Sequence, residues 1–182
     1  MATGATLYVF RIDLADQDRN LYGSYSLKVA RHPSETAERM VARVLAWCIH
    51  ADERLIFGKG LSNPEEADLW LHDDSGDVVH WIEVGEPEPE RLKKAARRAR
   101  KVSVLGYLRS QSVWWQKQGP AIRQLDGVIV QQVPWDVIKQ LVAGLPRQVT
   151  WQVMVSEGMF YITHADGETT ECPLETLYAP QQ

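Results

Sequence analysis

The chain has 182 residues, of which 45% are hydrophobic and 24% charged, the balance of a globular protein that can bury a core without structural metal. No apolar run approaches the roughly 20 residues of a membrane-spanning helix, and the N-terminus lacks the basic region of a signal peptide. The formal net charge of -4 argues against a surface that is basic throughout, so a nucleic-acid site would have to be local.

The cysteine content favours a reducing compartment. Cys48 and Cys172 are the two cysteines of the chain, and Cys48 falls on the apolar face of a predicted helix. Buried thiols explain this arrangement better than a disulfide or a metal site. Because no linker, repeat or low-complexity tract interrupts the sequence, we expect a single domain over residues 1–182. Since the sequence shows neither a signal peptide nor a membrane span, we expect the protein in the cytoplasm.

The first half of the chain predicts two hairpins separated by a helix. TLYVFRIDLAD and LYGSYSLKVARH alternate apolar and polar residues on either side of a polar turn. Apolar residues then recur with helical spacing from Ala37 to Cys48, with a helix start predicted at Pro33, Ser34 and Glu35. GKGLSNPEE is a predicted loop, and ADLWLHD and DVVHWIEVG form the second hairpin around a Ser75–Gly76 turn.

The second half predicts alternating helices and buried strands. The predicted elements are, in order, the helix ERLKKAARRARK, the strand VSVLGYL, the helix QSVWWQKQ, the strand LDGVIVQQV, the helix PWDVIKQLVAG closed by Gly144, and the strands QVTWQVMVS, MFYITH and ETTECPL. This order predicts an α/β fold, with a mixed β-sheet flanked by helices. Residues 151–182 are expected to add a small antiparallel subsheet.

Two carboxylates are expected to meet at the open end of the second hairpin. Glu83 interrupts the apolar run of VVHWIEV, and Asp68 begins the partner strand. If the chain turns at Ser75–Gly76, these residues lie on opposite strands close enough to share a ligand. Two adjacent carboxylates need a shared proton or a cation between them, and Mg²⁺ or Mn²⁺ bound to both would satisfy this need.

A basic helix follows Glu83 directly. Its apolar residues gather on one face and its cations spread over the other, namely Arg91, Lys93, Lys94, Arg97, Arg98, Arg100 and Lys101. Phosphodiester chemistry uses such a combination, because arginines hold the flanking phosphates and a lysine assists beside the metal. We therefore predict that Arg91, Arg97 and Arg98 contact nucleic acid.

Each of these features also has a structural explanation. Asp68 is also explained as a solvated residue at a strand edge, and Glu83 as a residue that faces solvent or pairs with an arginine. A basic run is commonly a solvated helix face. Glu38, at the flank of the apolar stripe of the first helix, is either a further member of the site or a surface partner of Arg39 or Arg43.

Other classes of site find little support. The chain has no G-x-S-x-G nucleophile elbow and no phosphate-binding loop pattern. His72 and His80 flank a hairpin turn without the further ligands that a zinc site requires. Trp70, Trp81 and Trp151 fall in strands and are expected in the core.

Three long strings of the sequence resemble a known bacterial family. ARHPSETAERM, LAWCIHADERLIFGKGL and WIEVGEPEPERLKKA are similar to the YaeQ family, and the likeness extends over essentially the whole chain. This resemblance implies a compact variant of the restriction-endonuclease fold, the PD-(D/E)xK nuclease superfamily. It also implies a metal site on the second hairpin.

The resemblance assigns roles position by position. Asp68 matches the PD aspartate, Glu83 matches the first residue of (D/E)xK, and Glu38 is similar to the acidic residue that some members carry on the first helix. Two departures stand out: Pro64 is not adjacent to Asp68, and Gly85 occupies the lysine position. The resemblance then favours Lys94 on the following helix as the lysine, with Lys93 behind it.

Two functions are therefore expected as alternatives. The first is a metal-dependent nuclease in which Asp68 and Glu83 hold Mg²⁺ or Mn²⁺. The second is an inactive nuclease-like module that binds DNA, RNA or a protein partner without cleavage, as loss of the in-strand lysine would suggest. Neither function involves a membrane.

Overall fold

A computed structural model describes residues 4–59, 61 and 63–181, arranged in two compact units. The first unit contains residues 1–41 and 133–174, and the second contains residues 42–132 and 175–182. In chain order the elements are β1 (Thr6–Asp16), β2 (Leu21–Arg31), α1 (Ala37–Ile49), β3 (Ile56–Phe57), β4 (Leu69–His72), β5 (Val78–Val84), α2 (Pro89–Arg98), β6 (Ala99–Gly106), α3 (Gln111–Ile122), β7 (Val128–Gln132), α4 (Trp135–Val142), β8 (Gln148–Ser156), β9 (Met159–Thr163), β10 (Thr169–Pro173) and β11 (Glu175–Tyr178).

The first unit is built on a five-stranded mixed sheet in the order β10-β9-β8-β1-β2. The predicted first hairpin is confirmed, since β1 and β2 pair antiparallel from Thr6↔Arg31 to Asp16↔Leu21. The expected small subsheet is replaced by a larger arrangement. β8 pairs parallel to β1 because both strands bury alternate apolar residues, among them Phe10 and Trp151, and β9 and β10 extend the same sheet.

The second unit is built on a six-stranded mixed sheet in the order β11-β7-β6-β5-β4-β3. The strands β5, β6 and β7 run parallel, and β4 and β11 pair antiparallel on either side of them. A core that includes Leu92, Val102, Val104 and Val130 packs around these parallel strands. The short strands β3 and β11 were not expected from the sequence, because two to four residues at a sheet edge carry almost no periodic signal.

The helices confirm the predicted order and correct its boundaries. The first helix begins at Ala37, and not in the Pro33–Glu35 segment, because the Thr36 hydroxyl accepts a hydrogen bond from the Arg39 amide at 3.1 Å and caps it. None of the helices within the described residues is long and apolar enough to cross a membrane.

The basic helix ends earlier than its charge pattern suggested. α2 stops at Arg98 because Ala99 takes an extended conformation, with φ -121° and ψ 150°, and opens β6. Arg100 and Lys101 therefore lie on a strand, where Lys101 pairs with His80 in the sheet. The Arg100 guanidinium bonds the Asp73 carboxylate at 2.7 Å, so this cation belongs to the hairpin turn and not to the helix face.

Candidate functional site

The second hairpin brings Asp68 and Glu83 together as predicted. The β4–β5 register pairs Leu69 with Ile82, which places Asp68 opposite Glu83 at the open end of the hairpin. Both residues are buried, with 3% and 4% of their surfaces exposed. The Asp68 Oδ2 atom accepts a hydrogen bond from the Val84 backbone amide at 2.8 Å, so its carboxylate is anchored to the strand that carries Glu83.

One oxygen of Glu83 is surrounded by donors. Trp81 lies two residues earlier on the same face of β5, and its indole nitrogen donates to Glu83 Oε1 at 2.7 Å. From α2, the Arg91 Nε and Nη2 atoms approach the same oxygen at 2.9 and 2.8 Å. The other oxygen, Oε2, accepts no hydrogen bond from the described residues. The alternative interpretation in which Glu83 pairs with an arginine is thus confirmed.

The environment of Glu83 favours its protonated form. Burial raises the pKa of Glu83 to about 7 from its ordinary 4.5, and the Asp68 carboxylate adds to the increase. Hydrogen bonds and charge from Arg91, together with the Trp81 indole, oppose this rise of the pKa. Because burial and the neighbouring carboxylate outweigh the Arg91 guanidinium, Glu83 is stabilised either by a proton or by further positive charge.

Two arginines of α2 hold the segment that leads to Asp68. Arg91 donates from Nη1 to the Pro64 carbonyl at 2.6 Å and from Nη2 to the Glu66 carbonyl at 3.0 Å. Arg98 donates from Nη1 to the carbonyl of Glu65 at 2.8 Å. Three consecutive carbonyls are therefore bound by guanidinium groups, which fixes the backbone that precedes Asp68.

A groove with a volume of about 440 Å³ lies between α2 and the segment that leads to Asp68. Its lining residues are Pro64, Glu65, Trp81, Arg91, Lys94, Ala95, Arg97 and Arg98. The Arg98 guanidinium lies 5.1 Å from the centroid of the Trp81 ring, and that of Arg91 lies 5.9 Å from it. Lys94 and Arg97 are exposed and make no hydrogen bond or ion pair within the described part of the chain, so they are available to an anion.

The predicted site residues thus fall into three groups. Asp68, Glu83, Arg91, Arg98, Lys94 and Arg97 belong to the site or its groove, although Arg91 and Arg98 bind the chain itself. Lys93 is exposed and is not among the described residues that line the groove. Glu38 belongs to the first unit, where its carboxylate lies 3.4 Å from the Lys139 ammonium.

The position of Gly85, directly after β5, favours a residue without a side chain. Its φ is +97°, a conformation that a residue with a side chain adopts only with strain, and its amide donates to the Leu105 carbonyl at 2.9 Å. A lysine at this position would strain the end of β5. Any lysine that serves the carboxylates must therefore come from another element, and Lys94 of α2 lines the groove beside Pro64 and Glu65.

The charge of the two carboxylates suits a divalent cation, but Arg91 already binds one oxygen of Glu83. Asp68 and Glu83 would hold such an ion, with Glu83 Oε2 as the oxygen that Arg91 leaves open. No group of three or more His, Cys, Asp or Glu side chains with metal-binding geometry occurs among the described residues. Water would therefore complete the coordination shell, as is common for Mg²⁺.

Trp81 is a residue of the candidate site that sequence reasoning missed. It was expected in the core, and it is 3% exposed, but its indole also bonds Glu83 and its ring supports two guanidinium groups. The two-residue spacing between Trp81 and Glu83 was the available signal, because alternate residues of a strand share a face. The carbonyl groups that bind Arg91 had no signal in the sequence.

Comparisons with known proteins agree with the resemblance of the sequence. The family model described as YaeQ protein matches residues 1–172. A YaeQ protein of Salmonella typhi is 38% identical over 166 residues, covering 91% of this chain and 92% of that protein. Its counterpart in Escherichia coli strain K12 is 37% identical over 164 residues, covering 90% and 91%.

Solved structures give the same result. The crystal structure of a YaeQ protein from Pseudomonas syringae is similar with a TM-score of 0.92 and 41% identity, over 97% of each chain. The YaeQ protein from Xanthomonas axonopodis pv. citri has a TM-score of 0.92 and 34% identity, over 97% of this chain and 99% of that one. Family model, sequence relatives and structures coincide over nearly the whole length, and the chain belongs to the YaeQ family.

Proposed function

We propose that the protein is a restriction-endonuclease-like module that binds nucleic acid in the groove over α2. The observation that carries this proposal is the lining of the groove, half of which is cationic: Arg91, Lys94, Arg97 and Arg98. The molecule is acidic overall, with a formal net charge of -4, so this concentration of cations is local. Phosphate groups of a DNA or RNA strand are the anions that best match it.

Lys94 and Arg97 are the residues that we expect to contact phosphate. Arg91 and Arg98 already bind the carbonyls of residues 64–66, so their role is to fix the wall of the groove. Their positions over the Trp81 ring also occupy its face, which leaves little of it for a stacked base. Binding should therefore depend mainly on charge and only weakly on base sequence.

The test is a salt titration of binding measured by fluorescence anisotropy, with labelled single-stranded and duplex DNA and RNA. We expect the double variant Lys94→Gln, Arg97→Gln to bind more weakly and to lower the slope of log K against log salt by about 2. The matched control is Lys28→Gln, Lys117→Gln, which removes two exposed charges from β2 and α3. Equal losses in both double variants would contradict the proposed groove.

A second candidate function is metal-dependent hydrolysis of the bound phosphodiester. The adjacency of Asp68 and Glu83, and the raised pKa of Glu83 beside a second carboxylate, favour it. A bound Mg²⁺ or Mn²⁺ would supply water activation and charge stabilisation. Asp68 and Glu83 would orient that ion, Lys94 would neutralise the phosphate that undergoes attack, and Arg97 would hold the neighbouring phosphate.

Hydrolysis is tested with purified protein, labelled oligonucleotides and Mg²⁺ or Mn²⁺. Cleavage should disappear in Asp68→Asn and in Glu83→Gln, while circular dichroism shows that both variants remain folded. Binding without metal should persist in both variants, because the phosphate contacts lie on α2. Cleavage at the same rate in wild type and both variants would identify a contaminant and remove this candidate.

A further inference from the structure

The contacts of Arg91 assign it a role beyond phosphate binding. Its guanidinium satisfies Glu83 Oε1 through Nε and Nη2, while Nη1 and Nη2 also reach the carbonyls of Pro64 and Glu66. All three nitrogen atoms are thus committed within the second unit. Arg91 is a half-buried cation placed where the charge of two carboxylates is concentrated, with 32% of its side chain exposed.

We infer that Arg91 is a latch that competes with a divalent cation for Glu83. Both cations satisfy the same carboxylate, and a guanidinium beside an incoming ion repels it. An ion held by Asp68 and Glu83 together therefore requires that Arg91 leave Glu83. This inference rests on the proposed site, but it concerns cation binding and needs neither nucleic acid nor catalysis.

Release of the latch has a defined structural consequence. The carbonyls of Pro64 and Glu66 lose their donor when Arg91 leaves, whereas Glu65 keeps its hydrogen bond to Arg98. The released guanidinium lines the groove and becomes available to phosphate beside Lys94 and Arg97. Cation binding should therefore strengthen anion binding in the groove, and by reciprocity a bound phosphate chain should strengthen cation binding.

The chain offers a matched pair of variants for the test. Arg91→Gln removes a guanidinium that touches Glu83, and Arg98→Gln removes one that binds the same segment and the same Trp81 ring without a hydrogen bond to Glu83. Each variant loses one positive charge together with hydrogen bonds to residues 64–66, two in Arg91→Gln and one in Arg98→Gln. A difference between the two variants therefore reports direct competition and not the general field of α2.

The measurement is Mn²⁺ binding to the full chain, followed by electron paramagnetic resonance of free Mn²⁺. We expect Arg91→Gln to bind Mn²⁺ on the order of tenfold to a hundredfold more tightly than wild type. Arg98→Gln should stay within about threefold of wild type, since Arg98 is exposed to screening by salt and makes no hydrogen bond to Glu83. Adding Asp68→Asn to the Arg91→Gln variant should abolish the increase in Mn²⁺ affinity. Equal gains in Arg91→Gln and Arg98→Gln, or no gain in either, would overturn the latch.

A second measurement keeps the inference testable if Arg91→Gln fails to fold. In ¹H–¹⁵N spectra of the wild type, saturating Mg²⁺ should shift the Arg91 Nε–H and Trp81 Nε1–H resonances, because both donate to Glu83 Oε1. The Arg98 Nε–H resonance serves as the control. Unmoved Arg91 and Trp81 resonances would overturn the latch, whether or not Mg²⁺ shifts the Asp68 amide. Oligonucleotide anisotropy, measured separately, reports on the proposed function.

Discussion

Two buried ionisable side chains on β5 respond to pH in opposite directions. Burial raises the pKa of Glu83 to about 7 from 4.5, with Asp68 adding to the rise. Burial lowers the pKa of His80 to about 4 from 6.5, with Lys101 adding to the decrease, and His80 Nε2 lies 2.7 Å from the Ser103 hydroxyl. The folded state therefore favours the uncharged form of both groups. As the pH rises, Glu83 lowers the free energy of unfolding and His80 raises it.

For Glu83 the folded state binds a proton more tightly than the unfolded state. The contribution of Glu83 to the free energy of unfolding is fully present below pH 4.5 and is lost as the pH rises to about 7. A shift of this size corresponds to about 3 kcal/mol in the free energy of unfolding. We expect Glu83→Gln to gain stability relative to wild type between pH 5 and pH 7.5, as measured by urea denaturation.

For His80 the sign is reversed. The unfolded state binds the proton more tightly, so the contribution of His80 is present above pH 6.5 and is lost as the pH falls to about 4. The two effects cancel in part over the shared range, so wild type alone should show a shallow profile. We expect His80→Gln, which keeps a nitrogen near Ser103, to show the Glu83 effect alone, with stability that declines as the pH rises from 4.5 to about 7. Parallel profiles for wild type and both variants would contradict these assignments.

At the scale of elements, the segment before β4 requires that the backbone at Gly58 lie close to the backbone at Ala67 and Asp68. The Gly58 amide donates to the Asp68 carbonyl at 2.9 Å, and a Cβ atom on Gly58 would lie 1.9 Å from the carbonyl oxygen of Ala67. No side chain fits there unless the backbone moves. Since Asp68 follows directly, Gly58 holds one of the two carboxylates in register.

We therefore expect Gly58→Ala to destabilise the protein by about 1–3 kcal/mol, the typical cost of forced overpacking. Displacement of the segment should also weaken Mn²⁺ binding, because Asp68 moves with it. The control is Gly4→Ala, where a Cβ atom would meet nothing within 4 Å. Chemical denaturation and Mn²⁺ titration of both variants check this expectation, and a Gly58→Ala protein as stable as Gly4→Ala would refute it.

At the scale of the whole molecule, one cysteine reports on each unit. Cys172 lies on β10 in the first unit and Cys48 lies on α1 in the second; both are buried and neither forms a disulfide. Burial also raises the pKa of Cys172 to about 12, so its thiol stays protonated at neutral pH. Neither thiol should react with a disulfide reagent while the protein is folded.

We expect the two thiols to become reactive at the same denaturant concentration. Helix α1 begins in the first unit and ends in the second, so unfolding of either unit removes part of a helix that is largely buried. The single-cysteine variants Cys48→Ser and Cys172→Ser isolate each reporter. The denaturant midpoint of thiol labelling is compared between the two variants after allowance for any difference in their stability. Midpoints that still differ would show that the units unfold separately.

Periodicity and composition of the sequence are enough to predict much of the fold. Two-residue alternation predicted the first hairpin, the Ser75–Gly76 turn predicted the second, and the spacing from Ala37 to Cys48 predicted α1. The adjacency of Asp68 and Glu83 followed from the antiparallel register of a short hairpin, which is a local property. Charge alone misjudged the end of α2, because the strand pairing of Ala99 and Lys101 overrode a continuous basic helix.

Only the tertiary structure decided what Glu83 faces. Arg91 lies eight residues from Glu83 and more than twenty from the carbonyls of Pro64 and Glu66. Backbone carbonyls carry no residue signature, and a guanidinium that binds them looks in sequence like one that binds phosphate. The sequence alone therefore determined the carboxylate pair and a basic helix beside it. The packing of α2 against the 64–66 segment decided which cations stabilise the protein and which remain free for a ligand.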